Sequence, residues 1–178
     1  PHCPRRGNSP KRGRIPNGSS CRASPAPTRI FCINNSTQFA YTPSQLKQRI
    51  IAHPLQAGMH LYEPNASIMK AGCFGAVALR FGLRQLDVNS HLYVSDSPIE
   101  EFPGRQFMIH AVTGMNKNEL HRALQGITQA NVAVRNFPLP ASVLQRRLKL
   151  KDGGNLYIFA TTKNRRHLLF LTSPSVFK

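Results

Sequence analysis

Tryptophan is absent from this chain of 178 residues, and acidic residues are scarce. Seven Asp and Glu stand against 24 Lys and Arg, which gives a formal net charge of +17. Such an excess favours an anionic partner, most often nucleic acid and less often an acidic membrane surface. Hydrophobic residues make up 40% of the chain, and its length is that of one domain, with or without tails.

Long apolar runs are missing as well. No run reaches the roughly 18 residues that a membrane-spanning helix needs, and the N-terminus has no continuous apolar core of the signal-peptide type. We therefore predict no membrane partner. The chain begins at Pro1 instead of Met, which indicates a fragment or a processed piece.

The motifs of common catalytic sites are not found either. The sequence contains no G-x-G-x-x-G, no P-loop, no H-E-x-x-H and no G-x-S-x-G. We therefore assign no catalytic residue and no cofactor-binding residue.

Cysteine and histidine predict no metal site. The four cysteines, Cys3, Cys21, Cys32 and Cys73, form neither a C-x-x-C motif nor another zinc-type spacing, and the seven histidines are scattered. Cys73 lies in an apolar segment, where a reduced and inert core thiol is expected. Such thiols fit a reducing compartment, so a cytoplasmic location is predicted.

Basic charge is concentrated at the two ends of the chain. Residues 1–56 hold nine Lys and Arg and no acid, while residues 57–130 hold six residues of each sign. Residues 131–178 hold nine basic residues and Asp152 as their only acid. The two basic regions differ in character and are interpreted separately.

The first basic region predicts a disordered arm over residues 1–36. Its first 30 residues contain six Pro, three Gly and seven Lys or Arg, with Ile15 and Ile30 as the only large aliphatic residues. This apolar surface is too small to offset the entropy lost on ordering. The arm is either a basic segment for nucleic acid or a non-native tail, because such mixtures are also typical of translation in a wrong frame.

From about Phe39 the sequence alternates between strand and helix patterns. Six strands are predicted, the last two as a hairpin, over 58–63, 90–95, 106–112, 131–137, 155–162 and 167–173. Three helices are predicted, from Asn65 to Gly82, over 116–127 and over 140–150. The expected fold class is α+β, with a small mixed sheet covered by two or three helices and preceded by the disordered basic arm.

The segment YEPNASIMKAGCFGAVALRFG, residues 62–82, could be a cofactor loop or a buried helix. A cofactor loop needs glycines directly after a strand, so that the backbone can approach the ligand closely. Gly72 and Gly75 instead lie inside the predicted helix, after its first turn. Small residues at these positions let a helix pack close to a sheet, so we favour the buried helix.

Six segments together resemble a known family. They are LYEPNASIMKAG (61–72), HLYVSD (91–96), FPGRQF (102–107), VRNFPL (134–139), LKLKDGGNLYIFATT (148–162) and HLLFL (167–171). In this order and spacing, the chain is similar to the C-terminal part of class I S-adenosylmethionine-dependent methyltransferases that carry a THUMP-like domain. The resemblance covers about residues 57–173 and leaves out the basic arm.

The resemblance implies a division of the chain and a function. Residues 37–90 would be the end of a truncated methyltransferase domain that lies mostly upstream, and residues 91–173 would be a THUMP-like α+β domain. THUMP domains bind RNA, commonly transfer RNA, so the implied function is to present RNA to the upstream methylating domain. S-adenosylmethionine is implied for the full-length protein, and this chain is predicted to be inactive alone. Glu63, Pro64 and Asn65 match the family, but the sequence assigns them no role.

Basic residues in the C-terminal third are the candidate RNA contacts. If the predicted hairpin folds back beside the preceding helix end, they form one patch that binds phosphates without reading bases. The candidates are Arg135, Arg146, Arg147, Lys149, Lys151, Lys163, Arg165 and Arg166. The alternative is a structural or protein-interaction domain with a solvated basic surface, because cations at a helix C-terminus are favourable without any ligand.

Overall fold

Nine strands and four α-helices make up the part of the chain that the computed structural model describes, residues 28–47, 51 and 54–175. The strands are β1 (Ile30–Asn34), β2 (Thr37–Tyr41), β3 (His60–Pro64), β4 (Arg84–Gln85), β5 (Tyr93–Ser95), β6 (Gly104–Thr113), β7 (Asn131–Arg135), β8 (Tyr157–Lys163) and β9 (Arg166–Pro174). The helices are α1 (Ala66–Ala71), α2 (Phe74–Phe81), α3 (Lys117–Ala123) and α4 (Ala141–Leu148), and a 3-10 helix covers Pro43–Lys47.

Seven of the strands form one sheet in the order β4-β5-β3-β6-β9-β8-β7. Neighbours are antiparallel except β7 and β8, which run parallel because α4 carries the chain back between them. β8 and β9 form the predicted hairpin, with Lys163 opposite Arg166. The predicted α+β fold with a mixed sheet is confirmed, although the short strand β4 was not predicted.

The buried side chains form three clusters along the sheet. The first joins α1 and α2 to the β1–β2 hairpin and includes Tyr62 and Val77. The second is centred on the aromatic rings of Phe107 and Phe159, whose centroids are 4.8 Å apart. The third packs Leu144 of α4 against residues of β8 and β9. Helices therefore cover two separate parts of the sheet, one near each end of the strand order.

The β1–β2 hairpin corrects part of the predicted disordered arm. β1 pairs with β2 in antiparallel register from Ile30 opposite Tyr41 to Asn34 opposite Thr37. Cys32 is 5% exposed, because its inward face packs in the first core cluster. The prediction of disorder is therefore wrong for residues 30–36, whose apolar partners lie far along the chain. Residues 1–27 of the predicted arm lie outside the described residues.

The predicted helix from Asn65 to Gly82 is two helices. Asn65 caps α1 as predicted, since its side-chain oxygen accepts a hydrogen bond from the N–H of Ile68 at 3.2 Å. Gly72 then adopts a left-handed φ of 65°, which ends α1 before α2 begins. Gly82, at φ 61°, ends α2. Within residues 28–47 and 54–175, no helix has the length and apolar character needed to cross a membrane.

Candidate nucleic-acid interface

The candidate RNA contacts do not form the single patch that the sequence analysis predicted. Lys151, after α4, pairs with Gln129 just before β7, so α4 ends at the start of the parallel β7–β8 pair. The β8–β9 turn lies at the other end of β8, which has seven residues and a length of about 20 Å. The expectation of one patch is therefore wrong, because parallel pairing makes α4 run away from this turn.

One group of candidates, the helix-end cluster, consists of Arg146, Arg147, Lys149 and Lys151. All four residues are exposed. Lys149 closes α4 in a left-handed conformation at φ 57°, and its N–H donates a hydrogen bond to the carbonyl of Arg146 at 3.1 Å. The cations thus surround the helix C-terminus, where the macrodipole favours positive charge.

The helix-end cluster borders a groove between α3 and the end of α4, here called the α3–α4 groove. Its volume is about 780 Å³, and no acidic residue occurs among the described residues that line it. Lys117 and His121 line it from α3, and Arg147 and Lys149 line it from α4. Lys117 and His121 were not among the predicted contacts, although their spacing of four residues places them on one helix face.

The other end of β8 carries the hairpin-tip pair, Arg165 and Arg166. Both are exposed, and Arg165 has a left-handed φ of 62° in the turn. The neighbouring candidate Lys163 is only 6% exposed. Burial lowers the pKa of Lys163, while the nearby Asp87 acts in the opposite direction. Lys163 therefore does not belong to the exposed basic surface.

Arg135, the remaining candidate, belongs to an ionic cluster around a buried carboxylate. Glu63 is 4% exposed, and its two carboxylate oxygens accept hydrogen bonds from two arginines. Arg105 donates to Oε2 from Nε at 2.8 Å and also from Nη2, and Arg135 donates to Oε1 from Nη2. We call Glu63, Arg105 and Arg135 the Glu63 cluster. The cluster brings together side chains from three segments, EPN (63–65), FPGR (102–105) and VRNF (134–137). The sequence predicted no common role for these segments.

Backbone pairing places Glu63 and Arg105 side by side. Glu63 of β3 is opposite Arg105 of β6, and Pro64 is opposite Gly104. A Cβ at Gly104 would lie 2.7 Å from a ring carbon of Phe102 and 2.9 Å from the Cα of Pro64, and closer still to the Glu63 carbonyl oxygen. Only glycine therefore permits the close approach of β3 and β6 at this point.

The Glu63 cluster lies at the wall of an open cleft of about 790 Å³, here called the Glu63 cleft. The side chain of Arg105 is 54% exposed and that of Arg135 is 34% exposed. Other lining residues come from the β1–β2 turn and from α1, among them Asn34, Thr37, Met69 and Lys70. Both guanidinium groups are thus fixed from inside by a carboxylate and reach solvent on the outside.

Two protein-family models match consecutive parts of the chain. Residues 60–103 match a ferredoxin-like domain, and residues 104–174 match a domain described as THUMP domain-like. The chain carries a THUMP-like domain. The two matches meet between residues 103 and 104, whereas the border predicted from the sequence lies between residues 90 and 91. Glu63 belongs to the ferredoxin-like part, and both of its arginine partners belong to the THUMP-like domain.

A solved structure supports the same assignment. The crystal structure of a "putative methyltransferase" from Porphyromonas gingivalis is similar, with a TM-score of 0.74 and 32% sequence identity. The match covers 83% of this chain and 38% of that protein, so the chain spans well under half the length of its relative. The family model confirms the predicted THUMP-like domain, and this structural match confirms the predicted likeness to a protein described as a methyltransferase. No curated protein matches the chain in sequence.

His91 packs against α2 within the ferredoxin-like part. Its ring stacks on Phe74 of α2 at a centroid distance of 4.0 Å and an interplanar angle of 14°. Burial lowers the pKa of His91, and the positive charge of Arg135 lowers it further. Burial also lowers the pKa of His60. Both imidazoles are therefore held in the neutral form more strongly in the folded chain than in the unfolded one.

We expect the unfolding free energy to fall as the pH drops below about 6.5, the ordinary pKa of histidine. In that range the histidines bind protons in the unfolded chain but stay neutral in the folded chain. Acid therefore favours unfolding. Urea unfolding at a series of pH values between 7.5 and 5.5 measures this slope. His91→Asn, which tolerates the left-handed φ of 54° at this position, should reduce the slope. An unchanged slope would contradict the assignment to His91.

Two thiols lie together beneath the β1–β2 hairpin. The Sγ atoms of Cys32 and Cys73 share a hydrogen bond at 3.7 Å, and both residues are buried free thiols. Burial, and then the neighbouring Cys32, raise the pKa of Cys73 to about 12. A thiol with so little thiolate reacts slowly, which agrees with the inert core thiol that the sequence predicted.

Proposed function

We propose that the chain is an RNA-binding part of an S-adenosylmethionine-dependent RNA methyltransferase of class I. THUMP domains as a family bind RNA, and the structural relative is described as a methyltransferase. The catalytic and cofactor-binding domain would lie in a part of the protein outside this chain, because the sequence contains no Gly-rich cofactor motif. In this proposal the THUMP-like domain holds the RNA, with transfer RNA as one candidate, and presents it to the methylating site.

The α3–α4 groove is the observation that carries this proposal. Its wall and the adjoining helix-end cluster bring cations from two helices together without an acidic residue in the lining. Exposed Lys and Arg bind phosphates and release condensed counterions from the nucleic acid. Such contacts fix the position of a backbone and do not read bases. The proposal also includes a reducing, cytoplasmic compartment, which the two free thiols Cys32 and Cys73 fit.

The salt dependence of RNA binding tests the role of the helix-end cluster. Each phosphate contact contributes about 0.7 to 0.9 to the slope of log affinity against log salt. Replacing Arg146 and Arg147 by Gln should therefore flatten the slope by about one to two units, and both residues are exposed, so the fold should persist. Fluorescence anisotropy with a structured RNA across a salt series measures the slope.

The hairpin-tip pair provides a matched control. Arg165→Gln with Arg166→Gln removes the same charge from exposed positions at the opposite end of β8. We expect this variant to change the slope much less than the α4 variant does. Equal changes in both variants would show that net charge alone attracts RNA, and an unchanged slope in the α4 variant would remove the helix-end cluster from the interface.

A protein-interaction role is the second candidate, and one observation favours it. Phe31 and Ile33 of β1 are 51% and 65% exposed, so the outer face of the β1–β2 hairpin presents apolar side chains to solvent. Exposed apolar patches are common at protein interfaces. Absence of RNA binding at low salt would favour this candidate, with the basic surface serving solubility or docking to an acidic protein.

A further inference from the structure

We propose that the Glu63 cleft is a binding site for a phosphate group, separate from the α3–α4 groove. The site consists of Arg105 and Arg135, whose guanidinium groups are fixed by the buried carboxylate of Glu63, together with Lys70 on α1. This inference does not depend on RNA binding at the α3–α4 groove, because the two sites share no lining residue.

The charges in the Glu63 cleft favour an anion. Three cations and one carboxylate line it. Both oxygens of that carboxylate are engaged by arginines, so the negative charge is held on the inner side of the cluster. The outer side of the cluster, which faces the cleft, is left with an excess of positive charge.

The arginines are also held ready for a ligand. A guanidinium group has five N–H donors. Among the described residues, hydrogen bonds orient Arg105 through Nε and Nη2, and they orient Arg135 through Nη1 and Nη2. Arg105 is held further by the rings of Phe107 and Tyr157, at 5.5 and 5.8 Å from the guanidinium carbon. An arginine that is already oriented loses less entropy when a ligand binds.

Phosphate fits this arrangement better than a carboxylate does. Donors approach from three elements, β6, β7 and α1, and the oxygens of a phosphate point in several directions, whereas those of a carboxylate lie in one plane. Arginine forks bind phosphate oxygens in pairs. The cleft, at about 790 Å³, is large enough for a phosphate that is part of a larger molecule. Met69 and Phe102 provide an apolar wall for the rest of such a molecule.

Nuclear magnetic resonance can detect the site directly. We would titrate the chain with inorganic phosphate at constant ionic strength, balanced with chloride, and record the Nε–Hε signals of Arg105 and Arg135. Saturable shifts of these signals are expected. Lys70→Gln should weaken the affinity about three- to tenfold, because one charged donor is lost while the Glu63 cluster stays intact. Linear shifts without saturation, or unchanged affinity in Lys70→Gln, would overturn the proposal.

Matched variants separate this site from the α3–α4 groove. Lys117→Gln removes an exposed cation from α3. Arg105 lies at the start of β6 and Lys117 follows its other end. Because salt screens charges separated by the length of a ten-residue strand, we expect the phosphate affinity to stay within about twofold of the original value. An equal loss in Lys70→Gln and Lys117→Gln would overturn the proposal, because it would indicate general attraction by a basic protein. The salt slope for RNA is measured separately, so either proposal can fail alone.

Two adenosine dinucleotides then identify the source of the phosphate. One has only the internal phosphodiester, and the other also carries a 5′-phosphate. Saturable shifts with both ligands identify a backbone phosphate of RNA as the ligand, and shifts with the 5′-phosphorylated form alone identify a terminal phosphate or a free nucleotide. Either result supports a phosphate site. Saturable shifts with inorganic phosphate but with neither dinucleotide would overturn the site as one for nucleic-acid or nucleotide phosphates and identify free phosphate as the ligand.

Discussion

Gly104→Ala is expected to lower the unfolding free energy by at least about 3 kcal/mol. The new Cβ would meet backbone atoms of Glu63 and Pro64, which cannot turn aside as a flexible side chain can. β3 and β6 would have to separate at the point where the ferredoxin-like part joins the THUMP-like domain. Urea unfolding followed by circular dichroism measures the loss.

Gly114→Ala is the matched control for this experiment. Gly114 follows the other end of β6, and the atoms nearest to its added Cβ belong to the side chain of Glu119. That side chain is exposed and can move aside, so a loss below about 1 kcal/mol is expected. Equal losses in the two glycine variants would show that the close approach of β3 at Gly104 is not the cause.

Glu63→Gln is expected to lower the unfolding free energy by about 2–3 kcal/mol. The amide keeps the size of the side chain but removes the charge that both arginines bind. Removing one partner of a buried ion pair costs about 3–5 kcal/mol. We expect less here because the arginine side chains are partly exposed and can regain water.

An exposed ion pair provides the comparison. Asp96→Asn removes the negative charge from the ion pair of 2.8 Å between Arg84 and Asp96, and the side chain of Asp96 is 69% exposed. Such surface pairs contribute about 0–1 kcal/mol. Glu63→Gln should therefore be clearly the more destabilising of the two when both are measured by urea unfolding. Equal and small losses would mean that Glu63 does not hold the two parts of the chain together.

Local sequence patterns were sufficient for elements in both parts of the chain. The β8–β9 hairpin was predicted because two apolar runs flank the short polar turn KNRR. The start of α1 was predicted from Asn65, whose side chain can cap a helix without help from distant residues. Where the signal was local, the expectation and the structure agree.

Features that depend on distant residues were missed. Glu63 finds its arginine partners 42 and 72 residues further along the chain, and no local pattern indicates such a meeting. β1, with the mostly apolar sequence IFCIN, was assigned to a disordered arm because the residues before it are rich in proline, glycine and basic side chains. Its folding depends on a core built from later residues. The helix-end cluster and the hairpin-tip pair lie apart because β7 pairs with β8 in parallel. The periodicity of apolar residues in the sequence does not specify the direction of strand pairing.

The direct pairing of β3 with β6 has a consequence for dividing the protein. The border between the two family models falls between residues 103 and 104, yet β3 and β6 are hydrogen-bonded neighbours across it. A cut at this border would leave an open edge on each half, with unpaired N–H and C=O groups that invite pairing with other chains. The boundary between the two family matches thus falls inside one hydrogen-bonded sheet. Neither half is therefore suited to be excised and grafted as an independent module.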